Sequence, residues 1–191
     1  MILGIGGLGI AAIVVGVIVL FVIVWYVSTM NKLRTLEVKV EEASSGIDVA
    51  LTKRFDVLTK MLETTKGYAK HEAETLENVI KWRNGIPASA TMEEKSEFAS
   101  SLSRVASGIN VVMEQYPQLK ADNMFAKLQA SIADTEEHLQ AARRLYNSNV
   151  SIINRNIVVF PTSIVANKIG MQKKAFFEAE EAKRKDVEMK F

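Results

Sequence analysis

Residues 3–27, LGIGGLGIAAIVVGVIVLFVIVWYV, form a run of 25 residues without a charge. A membrane-spanning helix needs about 20 mainly apolar residues. None of the 24 Lys and Arg or the 22 Asp and Glu residues precedes Lys32. The run is too long for the apolar region of a signal peptide, and it lacks both a basic start and an A-x-A-like cleavage site. We therefore predict a retained transmembrane anchor helix over residues 1–31.

The residues that end the run predict its orientation. Trp25 and Tyr26 carry amphipathic rings that favour the boundary between lipid and water. Lys32, Arg34 and Lys39 follow, whereas no Lys or Arg precedes the run. We interpret Trp25, Tyr26, Lys32 and Arg34 as the interfacial anchor. The positive-inside rule then predicts a single-pass topology with the N-terminus outside and the body in the cytoplasm.

Three small residues of the run share one helical face. Gly9, Ala12 and Gly16 are spaced by three and then four residues, and such a face lets two membrane helices approach closely. The alternative is that glycine and alanine are simply common in membrane helices. We take this face as a hypothetical packing surface for a homo-oligomer, with a ring, cup or funnel as candidate assemblies.

The remaining residues, 32–191, are predicted to form one helical bundle domain. They contain only three prolines and five glycines, too few for the frequent turns of an all-β fold. The chain has no cysteine, which excludes disulfides and thiolate metal sites. A net charge of +2 gives no reason to expect a nucleic-acid partner.

Apolar stripes at helical spacing predict three long helices and a short fourth. The first runs from the anchor to about Asn84, with a four-residue stutter that brings Phe55 onto the stripe. The second starts with a Thr91–Glu94 capping box, and the third starts near Asp122. The fourth runs from about Thr162 to Gly170. We predict an all-α, antiparallel up-and-down bundle with coiled-coil-like packing. Its predicted core includes Phe55, Leu62, Leu102, Ile109, Phe125, Leu139, Tyr146, Ile153 and Phe160.

Several motifs in these helices resemble the LemA family, a bacterial family of membrane-anchored helical proteins. They include VEEA at 40–43, ETTKGYAKHE at 63–72, YPQLKA at 116–121, ARRLYN at 142–147 and FEAEE at 177–181. The resemblance implies an antiparallel four-helix bundle behind one N-terminal helix of the bacterial cell membrane, and it implies no reaction. The chain departs from the family at Ser44, where Trp is frequent, at Phe55, where His is frequent, and near Thr59, where a proline is frequent.

The polar residues give weak signals for chemistry. His71 and His138, with nearby glutamates, lack the E-x-x-H spacing of carboxylate-bridged metal bundles. Arg143 and Arg144 suit either an anionic ligand or ion pairs with carboxylates of the first helix. Nucleophile, phosphate-loop and zinc-protease motifs are missing from the sequence. We therefore predict no catalytic residue, no cofactor and no metal.

These observations favour a structural function. We predict a membrane-anchored assembly protein that is not an enzyme and that acts by self-association or by docking a protein partner at the membrane. Two alternatives stay open. One is an enzyme or accessory subunit with a polar site inside the bundle. The other is a lipid-binding envelope-stress adaptor.

Overall fold

A computed structural model describes residues 7–65, 86–87, 89–117 and 123–178. These residues form four α-helices and no strand, which confirms the all-α prediction. The part of the predicted first helix after residue 65 lies outside the described residues. The helices are α1 (Gly7–Thr65), α2 (Met92–Gln115), α3 (Asn123–Val158) and α4 (Thr162–Lys168).

The predicted start of α2 is confirmed. The Thr91 side chain accepts a hydrogen bond from the Glu94 backbone N–H at 3.2 Å, and the Glu94 carboxylate accepts one from the Thr91 N–H at 2.7 Å. This reciprocal pair satisfies two of the backbone donors that a helix start leaves open. The helix ends at Gln115, directly before Tyr116 and Pro117.

The helix α4 follows Pro161, as predicted, and ends before Gly170. Gly170 has a φ of +69°, in the left-handed region where glycine terminates many helices without strain. The chain then continues from Met171 to Glu178 without regular secondary structure.

Two compact units make up the chain, and α1 and α3 contribute to both. The first unit comprises Met1–Val40 and Asn149–Lys174, and the second comprises Glu41–Ser148 and Ala175–Phe191. The first unit buries apolar residues of α1, α3 and α4, together with one residue of the following segment: Leu33, Val40, Val150, Ile153, Ile157, Val165, Ala166 and Met171.

Contacts within the second unit define the helix directions. Lys95 of α2 contacts Asp48 of α1, and Ser103 contacts Arg54 further along both helices, so α1 and α2 run parallel. Arg54 also pairs with Glu136 of α3, and α3 runs antiparallel to both. The expectation that α1 and α2 run antiparallel is therefore wrong. It assumed that a few residues join these helices, whereas residues 66–91 separate the end of α1 from the start of α2 in the sequence.

The buried stripe of α1 differs from the predicted one. Leu51, Arg54, Leu58 and Met61 are buried at spacings of three and four, so the predicted stutter is wrong. The predicted stripe omitted Arg54 because this residue is charged. Its long aliphatic stem nevertheless packs like an apolar side chain. Phe55 and Leu62 are only half-buried, beside the stripe. Phe55 still contacts the Phe98 ring of α2, with ring centroids 6.1 Å apart.

Most of the other predicted core residues are buried. They are Leu102, Ile109, Phe125, Leu139, Tyr146 and Ile153. Phe160 is the exception, because its side chain is 75% exposed. Its assignment to the core is wrong: α3 ends at Val158, and Phe160 lies in the turn before α4, where helical spacing no longer places a residue on the buried face.

We expect Leu139→Ala to lower the free energy of unfolding by about 2–5 kcal/mol, because it removes buried methyl groups and leaves a cavity. Leu145→Ala is the matched control on the same helix. Leu145 is 58% exposed, so its change should stay within about 0.5 kcal/mol. Denaturation of the full chain in detergent, followed by circular dichroism, measures both variants. Equal effects would contradict the assigned stripe of α3.

Candidate functional site

The first candidate site is the apolar part of α1. Of the described helices, α1 is the one long and apolar enough to cross a membrane. Its most apolar 18-residue window has no part buried within the structure. The large side chains from Ile10 to Val24 are exposed on all sides of the helix. A helix that is apolar all round requires either lipid or other protein around it.

The predicted interfacial residues lie where α1 changes its surroundings. Trp25 and Tyr26 are half-buried, and Thr29 is the first buried residue of the helix among those described. Lys32 and Arg34 are exposed further along α1. Arg34 pairs with Glu37 on the next turn, with 2.9 Å between Nη1 and Oε2.

Glu37 links α1 to the segment that follows α4. Its second carboxylate oxygen accepts a hydrogen bond from the Lys174 ammonium at 3.0 Å. The hydrogen bond from Lys174 lowers the pKa of Glu37 below its usual value of 4.5, with a smaller contribution from Arg34. The Lys174 backbone is held separately, because the Asn154 side chain donates to its carbonyl at 2.9 Å and accepts from its N–H at 2.8 Å.

The same pairing recurs in the second unit. The Asn147 amide donates to the Phe177 carbonyl at 3.0 Å and accepts from the Phe177 N–H at 2.9 Å. Tyr146 donates its hydroxyl to the Ala175 carbonyl at 2.9 Å, and burial raises the pKa of Tyr146. Its hydroxyl therefore keeps the proton that it donates at neutral pH. These side chains satisfy backbone groups that have no helix or sheet to pair with.

Residues Phe177 and Glu178 close one side of a small polar cleft. The Arg143 guanidinium lies 4.8 Å from the centroid of the Phe177 ring, a cation–π distance. Arg143 and Ser96 both donate to the Glu178 carbonyl. The cleft has a volume of only about 10 Å³, the minimum for a single water molecule. It is therefore too small for an organic substrate in this conformation.

An ion pair spans the wall of this cleft. Arg54 of α1 contacts Glu136 of α3 at 2.6 Å and donates to Ser103 of α2 at 3.3 Å. Gln140 donates to the other Glu136 oxygen at 2.8 Å. These polar groups thus link α1, α2 and α3 to one another.

Lys95 is the second charged residue on a buried stripe. Its ammonium contacts the Asp48 carboxylate oxygens at 2.7 and 2.8 Å and the Ser44 hydroxyl at 3.0 Å. The ammonium donates hydrogen bonds to Asp48 Oδ2 and to the Ser44 hydroxyl, and the contact with Asp48 Oδ1 is an ion pair. Ser44 stands where the resemblance led us to expect Trp, and a Trp side chain there has no oxygen to offer Lys95.

The histidines do not form a metal site among the described residues. His138 is exposed and contacts Asp134 one turn away at 3.3 Å, and His71 lies outside the described part of the chain. The ammonium of Lys53, which pairs with Asp134 at 3.0 Å, lowers the pKa of Asp134, with a smaller contribution from His138. No group of three or more potential metal ligands occurs among the residues that the structure describes.

The proposed packing face of the anchor is accessible. Gly9 is half-buried and Ala12 is exposed. A Cβ atom placed on Gly16 would meet no atom within 4 Å. Larger side chains at Gly16 are therefore accommodated by the isolated chain.

A family model described as the LemA family matches residues 43–191. Protein LemA of Metamycoplasma hominis is 32% identical to the chain over 165 residues, which cover 85% of this chain and 75% of that protein. The chain belongs to the LemA family. The resemblance identified from the sequence motifs is thus confirmed. In this LemA-family chain the matched range starts at Ala43. It contains the ion pairs of Arg54 and Lys95. It also contains Asn147 and Asn154, whose side chains bind the backbone of the segment after α4.

Sequence reasoning missed several of these side chains. Arg54 and Lys95 were overlooked because charged residues are read as solvent-exposed, although both lie at stripe positions of their helices. The backbone contacts of Asn147 and Asn154 were missed, because both residues were considered only as parts of family motifs or, for Asn147, of an anion site with Arg143 and Arg144. Their signal was the interval of seven residues, which places both on the same face of a helix.

We expect Asn147→Ala to release the chain around Phe177. The change leaves one backbone donor and one acceptor unpaired, at a cost of about 1–3 kcal/mol. Hydrogen exchange at the Phe177 amide should accelerate. Asn156→Ala is the control, because the Asn156 side chain donates to the Ile152 carbonyl of its own helix. Unchanged protection of Phe177 in Asn147→Ala would contradict the pairing.

We expect Glu37→Gln to destabilise the first unit at neutral pH but not in strong acid. A lowered pKa means that ionised Glu37 stabilises the fold above its usual value of 4.5 and that this contribution disappears as the pH falls through the lower folded value. The loss at pH 7 should be at most about 1 kcal/mol, as for other partly exposed ion pairs. Thermal melting at several pH values measures it, with exposed Glu41→Gln as control. A stability difference that persists at the acid end would exclude this ion pair as the cause.

Proposed function

We propose that this LemA-family chain is a single-pass membrane protein whose helical body acts by assembly or partner docking. The observation that carries this proposal is the apolar part of α1, from Ile10 to Val24, whose large side chains are not covered by the part of the chain that the structure describes. The alternative cover is other copies of the chain. A bilayer is favoured because the uncharged run that contains this part, residues 3–27, is as long as a span needs and because it ends with Trp25 and Tyr26.

The charge distribution supports a body on the cytoplasmic side. The described residues of the first unit, 7–40 and 149–174, carry seven Lys and Arg residues and a single acidic residue, Glu37. A cationic surface beside a span favours the cytoplasmic face, both through the positive-inside rule and through attraction to anionic lipids. The seven are Lys32, Arg34, Lys39, Arg155, Lys168, Lys173 and Lys174.

The pairing of polar groups supports a role without catalysis. Arg54 and Lys95 are held by carboxylates and serines of neighbouring helices. Enzymes instead keep such groups directed at a pocket that a substrate enters. In the second unit, the polar cleft beside Arg54 has room for no more than water. We therefore favour a protein that presents surfaces over one that transforms a substrate.

Self-association through the anchor is the proposed mode of assembly. Gly9, Ala12 and Gly16 leave one face of α1 without bulky side chains, and backbones can approach closely there. Copies packed through this face would hold their bodies side by side at one membrane surface. A ring, cup or funnel follows if the contact closes on itself.

We expect the double variant Val15→Arg and Val19→Arg to leave the membrane. Each arginine near the centre of a span costs about 2.5–3.5 kcal/mol on insertion, so the pair costs about 5–7 kcal/mol. The matched control is Val38→Arg with Val49→Arg, which alters two exposed valines of the same helix outside the span. Alkaline carbonate extraction of cell membranes measures both. Carbonate-resistant Val15→Arg/Val19→Arg protein would contradict the proposed span.

We expect Gly9→Leu with Gly16→Leu to reduce the mass of the full-length particle in detergent. The leucines block close approach between copies, while Gly16 has free space around it within one chain. Light scattering after size exclusion measures the mass, and circular dichroism checks that the bundle stays folded. Val14→Leu with Val17→Leu is the control elsewhere on the span. An oligomer that is unchanged by the glycine variants, or a monomeric wild type, would rule out this face.

A further inference from the structure

The turn between α3 and α4 exposes a cluster of large apolar side chains. Phe160 is 75% exposed, and Val158, Val159 and Ile164 are each at least half exposed. Water-exposed apolar side chains that lie together, rather than singly, usually mark a contact surface. Nothing in the predicted core or in the proposed function accounts for these four residues.

The register of the first unit places this turn at the end of the apolar span. The Asn149 side chain of α3 donates to the Lys39 carbonyl of α1 at 3.1 Å. The two helices run antiparallel and have equal rise, about 1.5 Å per residue, so each step along α3 matches one step back along α1. Phe160 then lies at about the level of Ser28.

The burial pattern of α1 supports this register independently. Thr29 and Leu33 are buried, Trp25 and Tyr26 are half-buried, and the large apolar side chains from Ile10 to Val24 are exposed. The cover on α1 therefore ends between Trp25 and Thr29, the same level at which the register places the end of α3. The exposed turn thus lies beside the residues that end the span.

Charge around the turn fits a surface of anionic lipid. Arg155 precedes it and Lys168 follows it, both exposed, and Lys32 lies on α1 of the same unit. Glu37 is the one carboxylate among residues 7–40 and 149–174, and it is occupied by Arg34 and Lys174. Apolar side chains bordered by cations are the combination that binds the interfacial layer of a bilayer.

We propose that the α3–α4 turn is a second membrane contact, in which Val158, Val159, Phe160 and Ile164 enter the interfacial layer of the leaflet that holds Trp25 and Tyr26. This inference rests on the proposed membrane span, because the span sets the level of that leaflet. Its consequence is that the first unit contacts the bilayer at two points. A single span leaves the unit free to rotate and tilt, and a second contact restrains both motions.

Single cysteines test the proposal, because the chain contains none of its own. Full-length Val19→Cys, Phe160→Cys and Val38→Cys are labelled with an environment-sensitive fluorophore. The proteins are reconstituted in vesicles of phosphatidylcholine and phosphatidylglycerol, with and without lipids that carry a nitroxide quencher near the headgroup. Val19 reports the span. Val38 is an exposed valine about 15 Å further along α1 than Ser28 and reports the aqueous side.

We expect the Phe160 label to show blue-shifted emission and to lose intensity with the nitroxide lipids, whereas the Val38 label shows neither change. A Phe160 label that behaves like the Val38 label, while the Val19 label reports lipid, would overturn the second contact and leave the span intact. A blue-shifted Phe160 label without quenching would show that another copy of the chain covers the turn, which also overturns the proposal. A Val19 label in water would refute the span itself, and the inference with it.

Discussion

An α-helix closes its backbone hydrogen bonds within itself, and the arrangement of this protein depends on that property. It allows α1 to run from Gly7 to Thr65 without a break while its surroundings change. No backbone group is left unpaired where the surroundings of the helix change. The two parts of α1 therefore need to differ only in their side chains. Before Trp25 they are apolar on all sides, and from Thr29 onward a single stripe is buried. One continuous helix therefore contains both the apolar part and the buried stripe.

The buried charges of the second unit determine how the helices align in the body. Arg54 and Lys95 lie on stripes that otherwise bury apolar side chains, and each finds a carboxylate on a neighbouring helix. Such pairs contribute little net stability, because removing two charges from water offsets their attraction. Misalignment by one turn would leave a buried charge without its partner, at a cost of several kcal/mol. The pairs therefore favour one register over its alternatives.

Local signals in the sequence predicted the helices well, and long-range pairings were beyond them. The Thr91–Glu94 capping box and Gly170 act within a few residues, and a helix starts after Thr91 and another ends before Gly170. The apolar spacing gave the wrong buried residues at two positions. Arg54 is buried although it is charged, and Phe160 is exposed because it lies past the end of α3. The hydrogen bonds of Asn147 and Asn154 to the backbone of Phe177 and Lys174 could not be predicted from the sequence of α3 alone. The two intervals do match in length. The seven residues of helix between Asn147 and Asn154 span about 10 Å, and so do the three residues of extended chain between Lys174 and Phe177.

The most direct test of this account is a nitroxide scan along α1 of the full-length protein in vesicles, with one spin label at a time from residue 10 to residue 62. Collision rates with oxygen, which partitions into lipid, and with a water-soluble nickel chelate report the surroundings of each position. We expect labels from Ile10 to Val24 to collide with oxygen and not with the nickel chelate. From Thr29 onward we expect nickel access that rises and falls every 3.6 residues, with minima at Leu33, Val40, Ile47, Arg54 and Met61. Nickel access throughout residues 10–24, or access without this period beyond Thr29, would contradict this account.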